Sequence, residues 1–281
     1  MPLTGTGHTV AAAASAGRAA AAFNIIQLEH VEAIISGAEA AQAPVILQIS
    51  ENAVRYHGAL APLARAALAA GQSAHVPVSV HLDHVTDLSL VREALELGLH
   101  SVMFDASTLD YADNVKATAE VVRRCHAADV WVEAELGEVG GKDGVHAPGA
   151  RTDPGEAATF VAATGVDALA VAVGTSHAML TRNAELDYEL IAALRTAVPV
   201  PLVLHGSSGV SDADLLEAVR HGMTKINIST HLNNAFTTAV RDHLTAHPSA
   251  VDPRKYLGAG RGAVAAEVTR LLGKLSAFQT T

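Results

Sequence analysis

Residues 78 to 84 read Val78-Ser79-Val80-His81-Leu82-Asp83-His84. A β-branched run enters two histidines that bracket an aspartate, the pattern of a strand whose end carries chemistry. The same ending recurs twice. A-L-A-V-A-V-G-T-S-H closes on His177, and P-L-V-L-H-G delivers His205. Three strands that each present an imidazole at one end suggest a single metal ion, provided that the fold gathers those ends.

Outward from these runs, short apolar segments alternate with helical patterns along the whole chain. Candidate strands are Ala21–Ile25, Pro44–Ser50, Val76–Asp83, Ser101–Ala106, Val130–Leu136, Ala168–Gly174, Pro201–His205 and Lys225–Ser229. Between them lie amphipathic stretches such as Leu28–Ala41, Ala59–Ala70, Leu88–Leu97, Asn114–Ala127, Glu156–Ala163, Leu186–Thr196 and Asp212–Val219. The strands read as near-continuous apolar runs, as parallel strands under helices do. Eight β/α units in about 250 residues predict a (β/α)8 TIM barrel. A doubly wound sheet requires an early Gly-rich phosphate turn, and the loop after the first strand, N-I-I-Q, lacks one. A short Ala-rich helix precedes the barrel and an amphipathic helix over Ala263–Leu275 extends it. Ser211 with Asp214 reads as a helix-capping pair, and Asp153-Pro154 opens another helix. One domain over residues 1–281 is expected.

Composition narrows the function. The 281 residues are 49% hydrophobic with a net charge of −10, and no basic stripe offers a nucleic-acid footprint. No apolar run reaches the roughly 18 residues of a membrane span. The Ala-rich start lacks a basic signal-peptide head, so the cytoplasm is the expected location. The single cysteine, Cys125, permits no internal disulfide and no thiolate zinc site, so any metal must use His and carboxylate.

In a barrel, the ends of strands three, six and seven open on one mouth. His84, His177 and His205 then lie within reach of one ion with a position left for substrate. Taken singly, each also reads as a capping or core histidine. Asp83 and His84 are adjacent, so pleating sends them to opposite faces unless the strand stops near residue 83. His81 shares the parity of Asp83 and serves either as its neighbour or as a packed barrel histidine. Glu135 in V-W-V-E-A-E-L is an alternative metal ligand, and Glu133 a buried structural acceptor. Asp105 ends strand four as a partner of a ligand or a secondary ligand. The loops H-G-S-S-G-V (205–210) and N-I-S-T (227–230) occupy the usual phosphate site of this fold, with backbone N–H groups, hydroxyls and helix N-termini. Thr230 is expected to cap the last barrel helix. The Gly-rich segment 137–152 follows strand five and reads as a lid. Lys225, at the start of its strand, sits at the wrong end for a Schiff base, and no other lysine replaces it.

These motifs together are specific. H-L-D-H, S-V-M-F-D-A-S, V-E-A-E-L-G-x-V-G-G, G-T-S-H, L-V-L-H-G-S-S-G, K-I-N-I-S-T and D-P-R-K-Y-L, in this order, resemble the class II metal-dependent ketose-bisphosphate aldolases, nearest the tagatose/fructose-bisphosphate branch. The resemblance implies reversible cleavage of fructose or tagatose 1,6-bisphosphate to dihydroxyacetone phosphate and glyceraldehyde 3-phosphate. It implies Zn2+ on His84, His177 and His205, with Asp83 exchanging the C4-hydroxyl proton. Gly206, Ser207, Ser208, Asn227, Ile228, Ser229 and Thr230 would take the dihydroxyacetone phosphate end, with Na+ or K+ nearby. Asn24 and Ser50 match substrate-contacting strand ends. Arg254 would reach the distal phosphate of a neighbouring subunit's site in a homodimer or homotetramer.

The chain departs from the family pattern where a glycine usually follows the second zinc histidine; here it is Ala178, at a substrate-binding position. The lid's usual G-G-x-E is G-G-K-D, which gives Asp143 the place of the proton-moving glutamate beside Lys142, in a lid about two residues shorter. These departures leave room for another phosphorylated keto sugar or keto acid, as in inositol breakdown, or for a non-catalytic sugar-phosphate binder.

Overall fold

The computed structural model describes residues 2–137, 150–177 and 179–276. Eight strands close a parallel barrel in chain order: β1 (Ala20–Asn24), β2 (Val45–Ser50), β3 (Val78–Val85), β4 (Ser101–Phe104), β5 (Trp131–Leu136), β6 (Ala168–Val171), β7 (Leu202–Leu204) and β8 (Met223–Ile228). Strand β8 pairs back onto β1, from Ala20 beside Lys225 to Phe23 beside Ile228. The expected (β/α)8 barrel is therefore present.

Helices α1 (Thr6–Ser15), α2 (Leu28–Ala41), α3 (Glu51–His57) and α4 (Ala61–Ser73) accompany the first strands. After them come α5 (Leu88–Leu97), α6 (Tyr111–His126), α7 (Pro154–Thr164), α8 (Tyr188–Ala197) and α9 (Asp212–His221). The last two are α10 (Thr230–Ala246) and α11 (Pro253–Ser276). Helix α11 starts ten residues before the expected Ala263. Pro253 suits the first turn, where its missing N–H costs nothing.

The strands are two-faced rather than uniformly apolar. Val45, Leu47 and Ile49 of β2, Val78, Val80 and Leu82 of β3, and Val132, Ala134 and Leu136 of β5 face the helices in the main core. The alternate positions point into the barrel. Gln48, Glu133 and Lys225 come from β2, β5 and β8, no two of which are neighbours, yet their side chains meet at 2.8–2.9 Å. They can only do so inside. Met103, Ala168, Ala170 and Val203 fill another part of the interior.

Helix α1 closes the end opposite the mouth. Val10 packs on Ala20, Ala22 and Ile46. Thr6 Oγ1 lies 2.5 Å from Ser101 Oγ, and Thr9 Oγ1 lies 3.3 Å from Ser79 Oγ.

Each strand differs from expectation by one to three residues at one or both ends, and two of these differences have a backbone reason that bears on the site. Strand β8 begins at Met223, because Gly222, at φ 130°, ends α9 and the chain turns straight into the sheet. Lys225 is thus the third residue of the strand, inside the barrel, and not at its opening. Strand β3 does not stop at Asp83 but runs to Val85. The register against β4 shifts between Leu82 and Val85, and His84 has φ 49°. This bulge puts Asp83 and His84 on the same side, at the cost of about 1 kcal/mol for a non-glycine residue in the left-handed region.

Candidate active site

The three histidines converge. Ring centroids are 4.5 Å apart for His84 and His205, 5.0 Å for His84 and His177, and 5.8 Å for His177 and His205. One ligand atom from each, and one from Glu135, all lie within 4.8 Å of one another.

The partners of two rings decide which nitrogen is presented. His84 Nδ1 is 2.9 Å from Asp105 Oδ2, so Nε2 is left for the cluster. His205 Nε2 is 2.9 Å from Glu133 Oε1, so Nδ1 is left, 3.2 Å from Glu135 Oε2. Asp105 is in turn held by Ser107, whose N and Oγ donate to Oδ1 at 3.2 and 2.6 Å. A carboxylate behind an imidazole fixes its orientation and raises its basicity as a ligand.

Close approach of loops completes the cluster. Gly206 follows His205 at φ 65°, and a Cβ there would lie 2.6 Å from Ser176 O. Only glycine allows the β7 loop to press against the segment carrying His177.

The charge balance fits a cation. Asp83, Asp105, Glu133 and Glu135 are buried carboxylates, and Lys225 is the one buried lysine among the described residues. Four buried negative charges against one ammonium are costly unless further positive charge is supplied. A divalent ion among three imidazoles and Glu135 supplies it with nitrogen and oxygen ligands of the right type. Burial alone would lower the His205 imidazole, but Glu133 and Glu135 outweigh it and raise it to about 9.

Beside the cluster, Asp83 is 3% exposed. Asn24 Nδ2 donates to its Oδ2 at 2.9 Å, while Oδ1 has no hydrogen-bond partner among the described residues. Burial would raise this carboxyl, and the nearby His84, His205 and His81 imidazoles overcome that, bringing it to about 2. It is an ionised acceptor with one oxygen available.

A cavity of about 340 Å³ lies at the mouth, bounded by Asn24, Ser50, Asp83, His84, Asp105 and His177 on one side. Gly206, Ser208, Asn227, Ser229 and Thr230 bound the other. Ser50 lines it while capping α3 through Ala53 N at 3.2 Å. Asn227 Nδ2 is buried with no partner among the described residues.

The expected cap at Thr230 is corrected, and the other expected residues lie at varied distances from the cavity. Thr230 does not cap α10; the helix starts on it, and Ser208 Oγ receives the N–H groups of Ser229 and His231 at 3.3 and 3.2 Å. Ser207 turns its hydroxyl to the Asn227 carbonyl and locks the two loops together without facing the cavity. Ile228 is buried in the outer core, so it can offer only backbone. Arg254 lies outside this cavity, paired with Asp252 at 2.8 Å. His81 is fully buried with Nδ1 2.7 Å from Ser101 Oγ, and stays below the mouth. Asp143, Lys142 and Ala178 lie outside the described residues.

Other residues emerge only in three dimensions. Glu51, Asn52, Arg55 and Thr86 line the mouth. Glu51 Oε2 accepts the N–H of Thr86 at 2.6 Å, and Oε1 lies 3.4 Å from Arg55. The i,i+4 spacing of Glu51 and Arg55 was the available signal, on a helix too short for periodicity to reveal. Lys225 and Gln48 were readable only once the limits of β8 were known.

Comparison with known proteins agrees with this geometry. Residues 5–279 match the family model described as fructose-bisphosphate aldolase class-II. The chain superposes on the YdjI aldolase from Escherichia coli K12 with a TM-score of 0.83 and 33% identity, covering 98% of this chain and 99% of that one. A candidate fructose-1,6-bisphosphate aldolase from Coccidioides immitis gives 0.83 and 29%, covering 96% and 98%. The fructose-bisphosphate aldolase of Campylobacter jejuni gives 0.82 at 22%, covering 98% and 95%, a likeness of fold. The chain belongs to the class II fructose-bisphosphate aldolase family and is a carbon–carbon lyase.

Proposed function

We propose that the chain, as one barrel unit over residues 1–281, is a Zn2+-dependent aldolase. It reversibly cleaves a phosphorylated ketose of the fructose or tagatose 1,6-bisphosphate type to dihydroxyacetone phosphate and glyceraldehyde 3-phosphate. The observation that carries this reading is the cluster of His84, His177, His205 and Glu135 with the available Asp83 oxygen in the same cavity.

His84, His177 and His205 would hold the ion, with Glu135 as the alternative ligand. When bound, a divalent ion polarises the substrate carbonyl and offsets the negative charge that develops there. Asp83 Oδ1 takes the C4-hydroxyl proton as the C3–C4 bond breaks and returns it in condensation. Asn24 keeps that carboxylate turned to the cavity through Oδ2. Asn227 Nδ2, the Gly206–Ser208 turn and the start of α10 offer donors to the phosphate of the dihydroxyacetone end. A Na+ or K+ ion beside these loops would ease the crowding of phosphate oxygens. Asp143 handles the C3 proton from the segment after β5.

Triose-phosphate release from both bisphosphates, before and after chelation, tests this. Activity should vanish on metal removal and return with Zn2+; turnover by the fully metal-free protein would refute the mechanism.

The exposed position of Arg254, 89% open at the side chain, supports a homodimer or homotetramer in which it serves a neighbouring site. Mixing Arg254→Ala with Asp83→Ala subunits should regenerate activity that neither variant has alone.

A further inference from the structure

One buried ammonium lies behind three groups of this site. Lys225, fully buried in β8, donates from Nζ to Gln48 Oε1 at 2.9 Å, Glu133 Oε2 at 2.8 Å and Asn227 Oδ1 at 2.8 Å. An ammonium has three protons and no acceptor, so these three bonds exhaust it and fix their own direction. Both amide oxygens must face Lys225, so both amide nitrogens must face away.

Each contact leads to a group at the mouth. The other oxygen of Glu133 meets His205 Nε2 at 2.9 Å, which leaves Nδ1 towards the cluster. Gln48 Nε2 donates to Asn24 Oδ1 at 3.1 Å, and Asn24 Nδ2 donates to Asp83 Oδ2 at 2.9 Å, which leaves Oδ1 available. Asn227, which lines the cavity, has its oxygen committed and its buried Nδ2 without a partner among the described residues.

We infer that Lys225 is a positioning residue: it holds the metal-facing nitrogen of His205, the proton-accepting oxygen of Asp83 and the donor of Asn227 in one mutual arrangement. This rests on the Zn2+-aldolase reading and names the interior group that couples its parts. If Lys225 were only a counter-charge for Glu133, any neutral pair would replace it equally well.

Lys225→Met alone leaves the Glu133 carboxylate buried without its cation, so the double variant Lys225→Met/Glu133→Gln, read against Glu133→Gln alone, is the informative protein, its folding checked by circular dichroism. Zn2+ affinity, measured by chelator competition, should fall by about 10- to 100-fold. With Zn2+ saturating, kcat should still be reduced. Gln48→Met cuts only the arm to Asp83: Zn2+ affinity should stay within about twofold, while kcat falls about tenfold at nearly constant KM. Zn2+ affinity in the double variant equal to that of Glu133→Gln, or wild-type kcat in Gln48→Met, overturns the inference; the second criterion decides alone if the double variant does not fold. Failure of the wild type itself to bind Zn2+ would instead remove the reading on which the coupling stands.

Discussion

The two ends of the barrel interior are built from the same strands and the same inward positions, yet they do opposite things. At the closed end, inward hydroxyls meet neutral partners: Thr6 meets Ser101, Ser79 donates to the Thr4 carbonyl, and Val10 fills the space over Ala20, Ala22 and Ile46. At the mouth, four residues further along β3 from Ser79 to Asp83, the inward positions carry charge. Asp83, Glu135 and His205 are buried there, and Asp83 Oδ1 and Asn227 Nδ2 have no partner among the described residues. Buried polar atoms are normally satisfied, and leaving them open costs stability. The closed end therefore stabilises the barrel, while the mouth keeps polar atoms for a ligand.

Substitutions at the two ends should separate these roles. The largest effect belongs to the mouth: Asp83→Ala should lower kcat by about 10²- to 10⁴-fold in steady-state assays, with Zn2+ content unchanged by metal analysis. Loss of the metal together with activity would mean that Asp83 acts on the cluster and not on substrate. Next, Asp105→Ala removes the acceptor behind His84, and Zn2+ affinity should drop by about 10- to 100-fold in chelator competition. At the closed end, Val10→Ala should cost about 2 kcal/mol in denaturant unfolding with kcat unaltered. A fall in kcat there would break the division between the two ends. The smallest effect is expected for Ser208→Ala, which strips the acceptor from the first turn of α10 and should cost about 1 kcal/mol. A rise in KM for the phosphorylated substrate should accompany it.

The two ends also differed in how far they could be read. His84, His177, His205, Asp83 and Asp105 were legible because each stands at a strand end in a chain whose β/α alternation predicts the barrel. The outer faces followed from apolar periodicity, and Ser211 and Asp153 from capping chemistry; both side chains accept N–H groups of their helices. What failed was position along the barrel axis. Starting β8 at Lys225 instead of Met223 placed the lysine at the wrong end and concealed its bond to Glu133. The cation that balances Glu133 comes from a strand 92 residues away, so no local pattern could pair them. The Asp83–His84 dipeptide was a parity conflict in sequence, and the bulge at His84 resolved it.

The sequence by itself determined the eight-unit barrel, the imidazoles at three strand ends and the family motifs, because periodicity and residue chemistry are local properties. Tertiary structure alone decided which nitrogen of His84 and of His205 is presented, which Asp83 oxygen is available and that Lys225 joins His205 to Asp83. Those depend on hydrogen bonds between strands that lie far apart in the chain and meet only when the barrel closes.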